Sequence, residues 1–124
     1  MSTKKILLVG LDPTGFDYPN SAFPHLNAEI VMKGLNGDLA NLNSQGYDAH
    51  MVLIDPDADP MQALSKALVE QYDCILLGAA LRTTPKYFLL FEQAINLVHK
   101  SAPNSLLCFN TGPADSLAAV QRWI

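Results

Sequence analysis

Four short apolar runs, each ending at a polar or glycine-rich corner, constrain the fold of this chain more than any other feature. The runs are Ile6–Val9, Met51–Ile54, Cys74–Leu77 and Leu106–Phe109. Continuous apolar runs separated by helix-length segments are typical of strands buried on both faces, as in a parallel sheet covered by helices. In such a sheet the carboxyl ends of all strands lie at one edge, where open α/β folds bind ligands. The pattern therefore predicts where a site lies, but not what the site does.

The predicted elements alternate along the chain, with one long loop after the first strand. The predicted strands are 4–11, 49–55, 74–78 and 105–109, and the predicted helices are 28–44, 61–70, 85–101 and 113–123. Right-handed crossovers between parallel strands place helices on both faces of the sheet. We therefore expect one α/β domain over residues 1–124, a Rossmann-like or flavodoxin-like three-layer sandwich with strand order 2-1-3-4.

Local signals indicate several element boundaries. Gly46 is a helix stop, and Asp59 before Pro60 has the residue types of a helix N-cap and first turn. Thr84 before Pro85 has the same pattern. Prolines and a glycine within residues 12–27 exclude a long regular element there, so this segment is predicted to be a loop.

Composition excludes several classes of protein. Hydrophobic residues make up 49% of the chain and charged residues 16%, which excludes a disordered chain. A net charge of −4, with no basic cluster larger than Lys4-Lys5, favours neither nucleic acid nor an acidic membrane surface as a partner. The apolar runs are too short for a membrane span or a signal peptide. We therefore expect a soluble, cytoplasmic protein whose Cys74 and Cys108 are buried and reduced.

Familiar nucleotide and metal motifs are incomplete. Gly10 and Gly15 have the spacing of a phosphate-binding loop, but Phe16-Asp17 replaces its Lys and Ser or Thr. Asp12 replaces the second glycine of a dinucleotide fingerprint, where a carboxylate would repel a pyrophosphate. Residues 55–59 begin like a calcium loop, but Pro60 replaces its turn glycine. No metal site is predicted, and no cofactor can be named.

Polar residues that follow the predicted strands are the candidate ligand contacts. They are Asp12, Thr14, Arg82, Asn110 and Thr111. The last two precede a predicted helix, whose free N–H groups suit an anion. The same two side chains could instead cap that helix or form a turn.

Arg82 is the strongest single candidate for a ligand contact, since it is one of only two arginines and follows the third strand. Its guanidinium could bind a carboxylate or phosphate group of a ligand through paired hydrogen bonds. It could equally form an ion pair with Asp12 or Asp55 and hold the loops together. The sequence leaves both interpretations open.

Tyr47–Gly78 resembles the middle of a response-regulator receiver domain, which implies a flavodoxin-like architecture. Gly78 occupies the position of the phospho-accepting aspartate, the acidic pair after strand one is reduced to Asp12, and Thr111 loosely matches the receiver hydroxyl. The resemblance therefore implies a receiver-like module without phosphotransfer.

A second resemblance is to a group of small uncharacterised bacterial α/β proteins. It is carried by Gly78–Pro85, Leu89–Glu92, Ile95–His99, Phe109–Thr111, Pro113–Ser116 and Ala119–Trp123. It implies a Rossmann-like fold and brings no known activity.

Three functional hypotheses remain. The first is binding of a small anionic ligand at the C-terminal edge, with residues 14–27 as a lid. The second is a receiver-like interaction module, and the third is an enzyme that uses Asp12 or Asp55 as a base beside Arg82. A homodimer is expected because the small sheet has uncovered edges and the helix over 85–101 has apolar residues on more than one face.

Overall fold

A parallel sheet with helices on both faces organises the protein. The computed structural model describes residues 3–15, 18–20, 24–112 and 114–124. The strands, in the spatial order β2-β1-β3-β4, are β1 (Lys5–Leu11), β2 (Asp48–Ile54), β3 (Cys74–Leu77) and β4 (Leu106–Phe109). The helices are α1 (Ala28–Ser44), α2 (Pro60–Ala67), α3 (Ala79–Thr83), α4 (Phe88–Ser101) and α5 (Ser116–Gln121). The predicted α/β fold with strand order 2-1-3-4 is confirmed.

Two apolar layers cover the sheet because successive side chains of a strand point to opposite faces. Leu7 and Val9 of β1 pack with the α2 and α4 side chains, whereas Ile6 and Leu8 pack with those of α1 and α5. The four residues of β3 are all buried, as expected for a central strand covered on both sides. The apolar runs of β1 and β3 are therefore the centre of the sandwich, whereas those of the edge strands β2 and β4 are only partly buried, with Leu106 46% exposed.

The helix boundaries follow local chemistry in some places and not in others. Gly46 has φ of 95° just beyond α1, and the Asp59 carboxylate accepts from Gln62 N at the start of α2, so both predicted signals are confirmed. Thr84 lies at the predicted N-cap position with Pro85 in the first turn, but its side chain makes no capping hydrogen bond, so only the position of this cap is confirmed. A 3-10 turn over Pro85–Tyr87 precedes α4, which begins three residues later than predicted. Helix α3 was not predicted at all.

The two cysteines meet across β3 and β4 although they are 34 residues apart. Their sulfur atoms are 3.4 Å apart in the buried layer under α5. Cys74 lies opposite Leu106 and Cys108 opposite Leu76, so the cysteines are diagonal neighbours with Cα atoms about 8 Å apart by strand geometry. That separation exceeds the usual limit for a disulfide. Reduced thiols therefore remain our prediction.

Helix α4 is amphipathic only in part. Ala94 and Val98 are fully buried, whereas Phe88 and Leu89 are 60% and 69% exposed. The expectation that apolar residues of this helix extend beyond its sheet-facing side is therefore confirmed. In the described part of the chain, no helix has the length and apolar character needed to cross a membrane.

Candidate functional site

A cavity lies at the carboxyl ends of β1 and β3. Its walls include Gly10 and Leu11 from β1 and Gly78, which directly follows β3. The chain leaves β1 toward β2 on one side and later enters β3 on the other, so these strand ends form the topological switch point of the sheet. Open α/β sheets bind ligands at such points. The cavity therefore lies where the strand order predicts a site.

Gly78 belongs to the cavity wall and lies against β1. A Cβ atom there would lie 3.4 Å from the Val9 carbonyl oxygen and 3.9 Å from Gly10 Cα, which are ordinary van der Waals contacts. The backbone at this position therefore tolerates a small side chain, and the close packing of Gly78 on β1 does not by itself require glycine.

The cavity is small and mainly apolar, with a volume of about 60 Å³. Its described lining consists of Gly10, Leu11, Pro13, Tyr18, Leu26, Val31, Leu35, Gly78, Ala79, Ala80, Leu81, Asn110 and Gly112. Within this set only Tyr18 and Asn110 have polar side chains, and none is charged. Tyr18 and Leu26 belong to the predicted lid, although Phe16, Asp17 and 21–23 of that segment lie outside the described residues. The lining therefore suits an apolar group.

Asn110 is the predicted site residue that reaches the cavity, and its side chain is held from two sides. Its Oδ1 accepts from Ala79 N at 2.9 Å, which ties it to the first turn of α3. Its Nδ2 donates to Ser116 Oγ at 3.0 Å, which ties it to α5. Asn110 is only 4% exposed, so both bonds form in a buried environment where unpaired groups are costly.

Asp38 of α1 completes this buried network. The Ser116 hydroxyl accepts from Asn110 and donates to the Asp38 carboxylate, so α1, α5 and the end of β4 are joined. Burial raises the pKa of Asp38, and the hydrogen bonds from Ser116 offset part of that increase. The network therefore holds the Asn110 amide in one orientation beside the cavity.

Thr111 points into a local turn. Its N–H and hydroxyl both donate to the Asp115 carboxylate, at 3.0 Å and 2.6 Å for the shortest contacts, and Gly112 N donates to the same group at 3.3 Å. Burial disfavours the charged form of Asp115, but these hydrogen bonds outweigh it and lower its pKa. The N–H groups of Thr111 and Gly112 thus already bind a carboxylate of the chain itself, so the side chain of Thr111 forms a turn, as the alternative interpretation of the sequence expected. Thr111 is not among the described lining residues of the cavity.

Asp12 and Thr14 form a second local turn. Asp12 Oδ1 accepts from Thr14 N at 2.9 Å and from Thr14 Oγ1 at 2.7 Å, and these bonds lower the pKa of Asp12. Neither residue is among the described lining of the cavity, although their neighbours Leu11 and Pro13 are. Their side chains instead stabilise the turn that carries Pro13 and Tyr18 to the cavity wall.

Arg82 holds the end of β4 from the opposite side. Its Nη2 donates to the Asn110 carbonyl oxygen at 2.8 Å, and its guanidinium lies 5.7 Å from the centre of the Phe109 ring. Its Nε is buried without a hydrogen-bond partner. Within the described parts of the chain Arg82 forms no ion pair, with Asp12, Asp55 or any other carboxylate. Arg82 is not one of the described cavity-lining residues, so it holds the Asn110 backbone from outside the cavity.

The enzyme hypothesis has less geometric support than ligand binding. The Asp55 carboxylate accepts from Asp57 N at 2.9 Å, so it stabilises its own turn. Neither Asp12 nor Asp55 lies with Arg82 in one described cavity. Over residues 3–15, 18–20, 24–112 and 114–124, no group of three or more His, Cys, Asp or Glu side chains could hold a metal ion.

Sequence reasoning missed Asp38, Ser116 and the apolar lining from α1. A signal for Asp38 is present, since it lies three residues after Leu35 and four before Leu42 and thus shares the apolar stripe of the helix. A carboxylate on such a stripe is expected to have a buried hydrogen-bond partner. Nothing in the sequence identifies that partner as Ser116, which is 78 residues away.

Comparisons with known proteins give no further assignment. No protein-family model matches this chain, and neither a curated protein nor a solved structure was found to be similar to it. The two resemblances to known families therefore stay predictions.

Without any ligand, Arg82→Ala is expected to lower the free energy of unfolding by about 1 kcal/mol. The variant loses the charge-assisted hydrogen bond to the Asn110 carbonyl oxygen and the contact with the Phe109 ring. Urea unfolding measures the change. Arg122→Ala is the matched control, since Arg122 Nη2 donates to the neighbouring carbonyl oxygen, that of Phe109, but from an exposed position. A change below about 0.5 kcal/mol is expected for the control. Equal effects of the two substitutions would contradict the structural role assigned to Arg82.

Proposed function

We propose that this protein binds a small ligand in the cavity at the C-terminal edge of its sheet. The observation that carries the proposal is the coincidence of an apolar cavity with the switch point between β1 and β3. Clefts of this kind, lined by apolar side chains and a few fixed polar groups, are the usual form of small-molecule sites. Asn110 supplies a fixed amide here, because both ends of its side chain are hydrogen-bonded.

The lining favours a ligand with an apolar portion that enters the cavity. The described lining contains no lysine or arginine that would pair with an anion. The Asp115 carboxylate already accepts hydrogen bonds from the N–H groups of Thr111 and Gly112. A volume of about 60 Å³ accommodates a short alkyl group or part of a ring. The anionic group expected from the sequence would then lie outside the described lining, and its contribution is tested separately.

The test uses matched pairs of small ligands that differ in charge. Thermal shift is measured with hexanol against hexanoate and with benzyl alcohol against benzoate. A ligand present at a hundred times its Kd stabilises the folded protein by about 2.7 kcal/mol, which is readily detected. We expect both members of a pair to raise Tm, and a larger rise for the carboxylates would support the anionic expectation.

A cavity-filling variant links the shift to the site. Val31 lines the cavity from α1, so Val31→Phe is expected to abolish the ligand-induced rise. Val69→Phe is the control, because Val69 is 81% exposed and does not line the cavity. The control should respond to ligand as the wild type does. The proposal is wrong if no ligand shifts the wild type, or if Val31→Phe retains the full shift.

A further inference from the structure

A second, open groove lies between the start of α2 and the exposed face of α4. Its volume is about 570 Å³, and its walls are formed by Met61, Leu89, Glu92, Gln93, Asn96, Leu97 and Lys100. This groove shares no described residue with the cavity. It therefore needs a separate explanation.

The α4 wall of the groove has a regular charge pattern. Glu92, Asn96 and Lys100 follow one another at intervals of four residues, so they form one line along the helix. Glu92 and Lys100 are about 12 Å apart along the axis, too far to pair within the helix. Within the described chain neither forms an ion pair with any other residue. The wall thus presents an unpaired acid and an unpaired base on either side of a neutral amide.

This pattern is complementary to itself. If a second α4 lies antiparallel with a two-fold axis at Asn96, Glu92 of each copy faces Lys100 of the other. A closed two-fold interface requires such reciprocity, since residue i contacts residue j and residue j contacts residue i. A parallel arrangement would place Glu92 against Glu92 and is disfavoured. The charge order therefore makes this surface complementary to a second copy of itself in the antiparallel direction.

Asn96, midway between Glu92 and Lys100, leaves room for a second α4 helix to approach closely. Asn96 Nδ2 donates to the Glu92 carbonyl oxygen at 3.0 Å, so this side chain folds back on its own helix. Helices that pack directly have axes 8–10 Å apart, within reach of paired Glu and Lys side chains. The exposed Leu89 and Phe88 lie at the N-terminal end of α4 and would contact the C-terminal turn of the partner helix.

We propose that a second copy of this chain docks in the α4 groove, antiparallel to α4, through paired Glu92 and Lys100 contacts. The open edge of β4 is a less suitable surface for this contact. It is only four residues long, and Arg122 covers the Phe109 carbonyl at its end. The interaction is independent of the ligand proposed above, because the groove and the cavity lie on different elements.

Charge reversal tests this arrangement by sedimentation velocity at low salt. The wild type is expected to form dimers at micromolar to high micromolar concentration. Glu92→Lys and Lys100→Glu should each raise the dimer Kd roughly a hundredfold, because two attractive contacts become two repulsive ones. An equal mixture of the two variants should form heterodimers, since every Lys at 92 or 100 of one chain then faces a Glu of the other. The double variant should dimerise again.

Glu29→Lys and Lys33→Glu are the matched controls, because both lie exposed on α1 and change the net charge by the same amounts. They should leave the dimer Kd within about threefold of the wild type. A wild type that stays monomeric at high micromolar concentration overturns the proposal. A dimer that survives both single reversals also overturns it, since another surface would then form the contact. Loss of the dimer in both single reversals, its return in the mixture and in the double variant, and an unchanged dimer Kd in the controls support it.

Discussion

Asn110→Ala should lower the free energy of unfolding by about 3 kcal/mol, or roughly 10 °C in Tm. The substitution removes two buried hydrogen bonds at once, one to Ala79 N and one to Ser116 Oγ. Both partner residues are at most 5% exposed, so their polar atoms would lose their partner without gaining water. Urea unfolding monitored by circular dichroism measures the change.

One control and one further variant distinguish the buried hydrogen bonds of Asn110 from the turn that follows it. Thr111→Ala removes only an exposed hydroxyl contact with Asp115, so a loss below about 1 kcal/mol is expected. Asn110→Asp keeps an acceptor for Ala79 N but loses the donor to Ser116, and it places a carboxylate near Asp38. We expect its stability to fall further as the pH rises. A loss for Asn110→Ala no larger than that for Thr111→Ala would contradict the role of the network.

Asp38→Ala should destabilise the protein by about 1–3 kcal/mol, because the Ser116 hydroxyl loses its acceptor in a buried position. Asp38→Asn keeps an acceptor oxygen of the same shape and removes the cost of burying a charge. It should therefore be at least as stable as the wild type at neutral pH. A comparison of the two variants by urea unfolding separates the hydrogen bond from the charge.

The difference in stability between Asp38→Asn and the wild type is expected to change with pH in one direction. Burial raises the folded pKa of Asp38, so the folded state binds its proton more strongly than the unfolded state. Stability from this group is then present below the ordinary Asp pKa of about 3.9 and is lost as the pH rises through the higher folded value. Asp12 and Asp115 have lowered pKa values and contribute in the opposite direction, but they are common to both proteins.

The stability of Asp38→Asn relative to the wild type should therefore increase between pH 4 and neutral pH. Denaturant unfolding at several pH values measures this difference directly. A difference that decreases over the same range would mean that the folded state favours the charged form of Asp38.

The fold was largely predictable from the sequence because burial on both faces leaves a local signature. Each strand is a continuous apolar run, and the helix-length segments between the strands permit only a few arrangements of a parallel sheet. Helix α3 escaped prediction because Ala79–Thr83 spans little more than one turn, too short for a periodic pattern. Thr84 occupies its predicted N-cap position, but its hydroxyl is buried without a partner, so the residue type indicated the position and not the hydrogen bond.

The candidate site was predictable in position but not in detail. The sequence indicated that polar residues after the strands gather at one edge, and Asn110 does reach the cavity there. Thr111 and Asp12 carry the same type of polar signal, yet each binds a partner two to four residues away and forms a turn. Ligand contacts and turn contacts use the same residue types, so their sequence signals are alike.

The set of strands, their parallel order and the edge of the sheet that carries the cavity followed from the sequence alone, since apolar runs and connection lengths are local properties. Only the tertiary structure decided which side chains meet there. The pairs Ala79–Asn110 and Asp38–Ser116 are separated by 31 and 78 residues, and Arg82 reaches Asn110 across 28. Hydrogen bonds require partners within a few tenths of an ångström and a narrow range of angles. That precision depends on how α1, α3 and α5 pack on the sheet, which no local pattern encodes.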